Sequence, residues 1–358
     1  MRSTSALLGC AREQETSMAV KATSFDIAQL AGVSQPTVSR ALRGSPTVSE
    51  PTRLRIEAIA KQLNYKVDKN ASNLRLQETR TIALLFFEDP TPDETGINPF
   101  FLSMLGSITR TCAQRGYDLL ISFQQLSSDW HVDYEDSRKA DGIILLGYGD
   151  YELYREKLEK LVEQETHFVR WGFAQEGQPG TTIGCDNFRG GLDAARHLMQ
   201  HGRKHIAFIG DANSHYPEFQ DRYRGSCEAQ GGEGIIADPA LQVDALNAQD
   251  AGYEAAQQLI SRGIPFDAIF AASDTIAIGA MNALRDHGLK IPDDVAIVGF
   301  DDIPAAGMTH PPLTTIQQDY KRAGEILVDS LLKQIRNEHA TTAVLPARLI
   351  VRQSCGAH

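Results

Sequence analysis

Gln35, Thr37, Ser39, Arg40 and Arg43 fall on the outer face of one short helical segment, and their side chains have the chemistry to read duplex DNA. Glutamine pairs bidentately with adenine, and arginine with the O6/N7 edge of guanine, so Gln35 and Arg40 suit base contacts. Thr37, Ser39 and Arg43 suit phosphates, which fix register without reading sequence. Ser34 opens the segment with a hydroxyl able to cap free N–H groups, and Pro36 is tolerated in a first turn, where its missing N–H has no helical partner. A second set is dispersed along the chain: Asn98, Phe101, Arg170, Trp171, Asp186 with Asn187, Arg222, Ser273, Asp274, Asp301 and Gln318. Aromatic faces together with planar bidentate groups are the equipment for a sugar, since rings take its C–H face while carboxylates and guanidinium bridge neighbouring hydroxyls. Asp186 and Asp274 fit helix N-caps equally well, Asp301 a turn, and Trp171 a core position.

The elements that must hold the first set lie within residues 24–42. Phe25 to Ala31 reads as an amphipathic helix with Ile27, Ala28, Leu30 and Ala31 turned inward; Gly32 ends it, as glycine does just past a helix. Val33 plugs the turn, and a second helix follows with Val38, Ala41 and Leu42 at i, i+3 and i+4 on its inner face. Two short helices about a glycine turn, the second polar and basic outside, make a helix-turn-helix, which lays its second helix in the major groove. The competing reading is a helical hairpin used only for packing. A third helix from Val48–Ser49 to about Leu63, capped by Ser49, would bury Leu54, Ile56, Ile59, Ala60 and Leu63.

Charge agrees with that placement. The first 80 residues carry 12 Lys and Arg against 7 Asp and Glu, a net of +5, which leaves −16 for the rest of a chain whose total is −11. A basic end on an acidic body brings only the first part to a polyanion. A length of 358 residues suits two or three domains. No run of about 18 apolar residues marks a transmembrane helix. Five widely spaced cysteines without Cys-x-x-Cys fit reduced thiols in the cytoplasm better than a disulfide framework. Leu7-Leu-Gly-Cys10 has the look of a lipidation box but lacks room for an apolar h-region, so residues 1–20 read as a disordered extension. His197, His201 and His205 have metal-like spacing, but Gly202 ends their helix and takes His205 off the face; no metal or cofactor is expected. The chain has no P-loop, no Gly-x-Gly-x-x-Gly after a strand, no His-Glu-x-x-His and no Gly-x-Ser-x-Gly, which speaks against an enzyme.

From Thr81 onward near-continuous apolar strands alternate with helices, beginning with strand Ile82–Phe87 and helix Phe100–Gly116. That pattern means parallel sheets covered on both faces, and there is enough of it for two Rossmann-like lobes. In such sheets ligands sit beyond the carboxyl ends of strands, where the dispersed set lies.

Asp26-Ile-Ala-Gln-Leu-Ala-Gly-Val-Ser-Gln-Pro-Thr-Val-Ser-Arg-Ala-Leu42, then Val48-Ser-Glu-Pro-Thr-Arg53, then Asn64-Tyr65, resemble the LacI family of bacterial transcription repressors, and the likeness continues through nearly all of the chain after residue 20. The resemblance implies an α/β fold of two periplasmic-binding-protein-like lobes behind a small all-α headpiece (residues 21–65). Residues 66–80 would be a hinge whose Leu74, within Ala71-Ser-Asn-Leu-Arg75, wedges into the minor groove. Val67 stands where the family often has proline. Three crossings between lobes would give lobe one residues 81–181 and 317–341 and lobe two residues 182–316 and 342–358, with strand Val344–Val351 in lobe two. The resemblance further implies a homodimer on a near-palindromic operator, controlled by a small-molecule effector. In the family Arg222, Ser273, Asp274, Asp301 and Gln318 match effector-contacting positions. The residues favour a sugar over a purine. A cytosolic sugar-binding protein is the other reading, and it leaves the basic headpiece without a use.

Overall fold

The computed structural model describes residues 22–42, 44–65, 78–86, 97–123, 129–147, 149–175 and 177–357. The chain divides into two compact units between Gln77 and Glu78. Arg43 and Leu74 lie outside the described residues.

The first unit holds helices α1 (Ser24–Ala31), α2 (Gln35–Leu42) and α3 (Glu50–Gln62). Thr23 starts α1 with a reciprocal cap: its hydroxyl accepts the Asp26 N–H at 3.4 Å, and the Asp26 carboxylate accepts the Thr23 N–H at 2.7 Å. The Thr23 N–H and the Thr23 hydroxyl, which both donate to the Asp26 carboxylate, hold its carboxyl below the usual carboxylate range. Gly32 ends α1 in the left-handed conformation, φ 62°, which glycine adopts without a Cβ penalty. The core is Ile27, Ala28, Ala31, Val38, Ala41, Val48, Ile56 and Ala60. Leu30 and Leu54, expected inside, are 63% and 56% exposed. Leu54 is two residues, about 200° of helix, from the buried Ile56, and Leu30 lies at the rim of a seam that small residues already fill. Ser49 occupies the N-cap of α3, but its hydroxyl pairs with that of Thr52 at 2.9 Å rather than with a backbone N–H.

The second unit contains two six-stranded sheets. The first is ordered β11-β5-β4-β3-β1-β2, and all of its pairings are parallel. Its strands are β1 (Thr81–Phe86), β2 (Asp118–Phe123), β3 (Ile143–Leu146), β4 (Phe168–Trp171), β5 (Thr181–Cys185) and β11 (Ala343–Leu345). The second is ordered β12-β10-β9-β8-β6-β7, with β6 (Ile206–Ile209), β7 (Gln242–Val243), β8 (Ala268–Ala271), β9 (Ala296–Asp301), β10 (Thr314–Gln317) and, antiparallel at its edge, β12 (Arg348–Ile350). Helices α4 (Pro99–Arg115), α5 (Tyr151–Glu163) and α10 (Tyr320–Ile335) belong to lobe one. Lobe two has α6 (Asn187–Gln200), α7 (Pro217–Gly232), α8 (Gln249–Arg262) and α9 (Asp274–Asp286).

Two lobe boundaries differ from the sequence reading. β5 pairs with β4, Val169 opposite Thr181, so the first crossing follows Cys185 rather than Thr181. The segment read as one strand, Val344–Val351, is two: β11 lies on β5 in sheet one and β12 on β10 in sheet two. Pro346 stands between them, and proline has no N–H with which to continue a ladder. The third crossing is therefore there, not at Thr341. A π-helical turn, His131–Asp136, is an element the sequence pattern did not announce.

Candidate functional site

On α2 the inner face is Val38 and Ala41, both fully buried, and Ser34, Pro36 and Arg40 are exposed. The Thr37 N–H bonds the Ser34 carbonyl at 2.9 Å, and the two hydroxyls pair at 2.9 Å, so the first turn is internally ordered. Gln35 is partly buried and donates from Nε2 to the Ser24 hydroxyl at 3.1 Å. Its amide thus ties α2 to the start of α1, and an adenine contact would have to replace that bond. Ser39 is partly buried.

In lobe two, Arg222 is the centre of the dispersed set. Two glycine contacts fix the helix that carries it. A Cβ on Gly191 of α6 would lie 2.0 Å from the Arg222 carbonyl oxygen, and one on Gly225 of α7 would lie 2.0 Å from that of Phe188, so only glycine allows the approach of these helices. The Arg222 side chain is fully buried. Nε donates to Asn187 Oδ1 at 2.9 Å, Nη1 donates to the Ala272 carbonyl, and the guanidinium lies 3.7 Å from the centre of the Phe300 ring and 5.1 Å from that of Phe219. Asp301 Oδ1 stands 3.9 Å from Nη1 and accepts Gln318 Nε2 at 2.6 Å. Ala272, Asp301 and Gln318 come from the carboxyl ends of β8, β9 and β10, three adjacent strands. Asp301 and Asp302 are consecutive non-glycine residues at positive φ, 115° and 57°. Strain of that kind persists where surroundings over-determine it and gathers at functional sites. Here Gln317 and Arg352 clamp the Asp302 carboxylate at 2.7 and 2.6 Å.

Asp274 backs this group rather than facing outward. Its oxygens accept the Thr315 hydroxyl at 2.5 Å and the Ile303 N–H at 2.8 Å, and burial, with Asp301 nearby, raises its carboxyl well above the ordinary value. Ser273, not Asp274, caps α9, accepting the Ile276 N–H at 3.2 Å while donating to Asn247 at 2.6 Å.

Lobe one contributes Arg170 and Trp171 from the end of β4. Arg170 is buried; it donates to the Phe173 carbonyl at 3.2 Å and to Gln178, and it lies 5.5 Å from the Tyr151 ring centre. Burial lowers its pKa. Trp171 is buried against Phe100, and Phe101 packs on Phe100 in the same core, so Phe101 serves as support. Asn98 caps α4 through the Phe100 N–H at 2.8 Å, and Asp186 caps α6 through the Arg189 N–H at 2.9 Å. Of the Asp186–Asn187 pair it is Asn187 that reaches Arg222.

Glu218, on α7, escaped the sequence reading. It accepts the Phe173 N–H of lobe one at 2.7 Å and senses both Arg170 and Arg222, while burial raises its carboxyl pKa against their pull. The readable signal was its spacing, four residues before Arg222 on one helix. The lobes also meet where the Tyr151 N–H bonds the His215 carbonyl and where His215 Nδ1 pairs with Asp150, each at 2.8 Å. His197 bonds the Cys355 thiol at 3.2 Å, and His201 returns to the His197 carbonyl at 2.8 Å.

Residues 25–68 match the profile of bacterial regulatory proteins of the lacI family, and residues 195–355 that of a periplasmic binding protein-like domain. The HTH-type transcriptional repressor CytR of Escherichia coli (strain K12) is 32% identical over 355 residues, 97% of this chain and 99% of that protein. The ribose operon repressor of the same strain is 30% identical over 317 residues, 88% of this chain and 93% of that one. Among solved structures, a complex of the transcriptional regulator CelR with cellobiose aligns at a TM-score of 0.70 and 28% identity, covering 93% of this chain and 99% of that one. A lac repressor dimer bound to operator and the anti-inducer ONPF aligns at 0.79 and 23%, covering 94% and 100%.

Proposed function

The chain belongs to the lacI family of bacterial regulatory proteins, DNA-binding transcriptional repressors that carry an effector domain, and from that premise we propose that its effector is a sugar held between the two lobes. The observation that carries this reading is the convergence of Arg222, Asp301, Gln318 and Asn187 at the carboxyl ends of adjacent strands, with Arg170 approaching from lobe one and Glu218 between the two arginines. Planar groups at that density suit vicinal hydroxyls. One relative was solved with cellobiose and another is named for the ribose operon, which supports the same class.

In this reading Ser34, Gln35, Pro36, Thr37, Ser39, Arg40 and Arg43 meet the operator in the major groove, and Leu74 wedges from the minor groove. Two headpieces cover a near-palindrome, which calls for a homodimer. The face for a second copy is the edge strand β2, where Leu120, Ile121 and Phe123 are 38%, 47% and 56% exposed. The protein acts in the cytoplasm, with the DNA. The sugar shifts operator affinity only if it prefers one arrangement of the lobes over the other.

Fluorescence anisotropy on DNA upstream of the protein's own gene, over a salt series and with a panel of sugars, tests the reading. Tight, steeply salt-dependent binding to one palindrome, altered by one sugar, supports it. Tight binding that responds to a purine and to no sugar replaces the effector class and keeps the regulator.

A further inference from the structure

We propose that Asp141 is a positioning residue for operator binding: its carboxylate fixes the backbone of the residues at which the chain enters lobe one from the headpiece. The inference rests on the chain being a DNA-binding repressor and is independent of which effector it takes.

The second unit begins with Glu78, Thr79 and Arg80, immediately ahead of β1. Asp141 Oδ1 accepts the Thr79 N–H at 2.6 Å, and Oδ2 accepts the Arg80 N–H at 2.7 Å. Both oxygens of one carboxylate are thus committed to successive backbone donors 62 and 61 residues earlier in sequence. Charge-assisted bonds of this length are among the stronger hydrogen bonds, and together they fix two consecutive peptide planes.

Neighbouring groups set the same turn. Arg80 adopts φ 56°, a left-handed conformation uncommon for a residue with a side chain. Its carbonyl accepts the Asp118 N–H at 2.8 Å, its Nε bonds Glu78 at 3.0 Å, and its guanidinium lies 5.5 Å from the centre of the Tyr117 ring. The Thr79 hydroxyl accepts the Thr81 N–H at 3.1 Å.

The two bonds of the Asp141 carboxylate are not among those that hold β1. That strand pairs with β2 from Thr81 to Phe86 and with β3 from Ala83 to Phe86, and the backbone N–H of Asp141 already bonds the Thr81 carbonyl at 2.8 Å. The hydrogen bonds of the carboxylate go to residues upstream of the strand, although its charge is also felt by Tyr117 and His167. In a protein whose DNA-binding and effector units are joined by one chain segment, the residues it fixes are the last ones before that segment. Ordering them in advance spares operator binding their conformational entropy, and releasing two residues corresponds to a loss of roughly tenfold or more in affinity.

The sign of the effect separates positioning from electrostatics. Removing an acidic group strengthens attraction to DNA. Loss of the clamp weakens specific binding. Asp141→Asn and Arg80→Gly would be compared with wild type on a duplex selected by the wild-type protein from a random pool, and on a random duplex. Amide exchange would be followed across residues 78–86 in the full-length chain. For Asp141→Asn the expected result is about tenfold weaker specific binding. Random-duplex binding should be unchanged or slightly stronger, and exchange faster at Thr79 and Arg80 while the β1 amides stay protected. Arg80→Gly keeps the N–H donor and relieves the positive φ, so it leaves the fold intact and relaxes the exit; the lost cation weakens binding to every duplex, so its readout is the ratio of specific to random-duplex binding, which should fall by less than in Asp141→Asn. Asp141→Glu, which keeps both acceptor oxygens, should recover part of the affinity. Faster exchange at Thr79 and Arg80 with specific affinity within twofold of wild type overturns the proposal, as does specific binding that strengthens with the lost charge. Should Asp141→Asn expose the β1 amides, Arg80→Gly decides: a ratio of specific to random-duplex binding within twofold of wild type in that variant overturns the proposal.

Discussion

α2 of the headpiece and the strand ends around Arg222 hold their polar side chains in opposite ways. On α2 a core of eight mostly small residues supports a polar face turned to solvent, and Arg40 is exposed. Around Arg222 the polar groups are inside, stacked on Phe300 and bonded to Asn187 and Ala272. Apart from Gln35, whose amide bonds Ser24 of α1, the headpiece keeps the polar groups of this face outside its own stability. Lobe two builds the same groups into its core, so a change there is felt first by the fold and only then by the ligand.

The largest expected effect follows from that contrast. Arg222→Ala leaves the fully buried Asp301 without its cation at 3.9 Å and Asn187 without its donor. Removing one partner of a buried pair costs about 3–5 kcal/mol. Urea denaturation of the purified variant should show that loss, with binding of the proposed effector gone as well. A variant as stable as wild type would mean that Arg222 is held for the ligand alone. Arg40→Ala is the matching change on α2. Loss of a bidentate base contact is worth about 1–3 kcal/mol of operator affinity. Stability should stay within about 0.5 kcal/mol of wild type, as for surface changes generally. Equal loss on operator and random duplexes would reassign Arg40 to phosphate.

The same contrast explains what the sequence made legible. A helix-turn-helix is local: Gly32, Val33 and the i, i+3, i+4 spacing of Val38, Ala41 and Leu42 lie within a dozen residues, so both the elements and their outer face can be read from the pattern. The Arg222 group draws on residues from Asn187 to Gln318, joined only by the order of strands in a sheet, and no spacing encodes that order. Resemblance supplied Arg222, Asp301 and Gln318. It gave no notice of Glu218, whose contact is with Phe173 of the other lobe, nor of Asn247, whose contact is with Ser273. Leu30 and Leu54 were misplaced because an apolar residue in a three-helix unit is not obliged to face a core too small to take it. The capping role of Asp186 was visible as an alternative, and the structure bears it out.

A smaller change probes the headpiece's own economy. Thr23→Ala removes the reciprocal cap of α1 and should cost about 1 kcal/mol. With only eight residues in its core the unit has little stability to lose, so amide exchange across residues 24–31 of the full chain should quicken while exchange in β1 does not change. Unaltered exchange would show that the cap is dispensable and that packing against α2 and α3 alone holds α1.

The mildest effect belongs to the contact between lobes. His215 and Asp150 pair at 2.8 Å across them, and the hydrogen bond that His215 Nδ1 donates to Asp150, followed by the Asp150 charge and the fields of Glu152 and Asp211, raises the imidazole pKa above 6.5. A raised imidazole contributes attraction that is complete below its ordinary value and fades as pH climbs through the raised one. Closure of the lobes should therefore be favoured at pH 6 over pH 8.5. The Tyr151 N–H, which bonds the His215 carbonyl, is the internal reporter. Its exchange, corrected for the intrinsic rate at each pH, should be a few-fold better protected at the lower pH, and His215→Gln should flatten that difference while leaving protection in β3 unchanged. If the variant keeps the wild-type slope, the pH response belongs to another group. If the wild type has no slope, the bonds donated by the Tyr151 and Phe173 N–H groups hold the lobes together without help from His215 and Asp150, and that pair adds nothing measurable, as many ion pairs near a surface do.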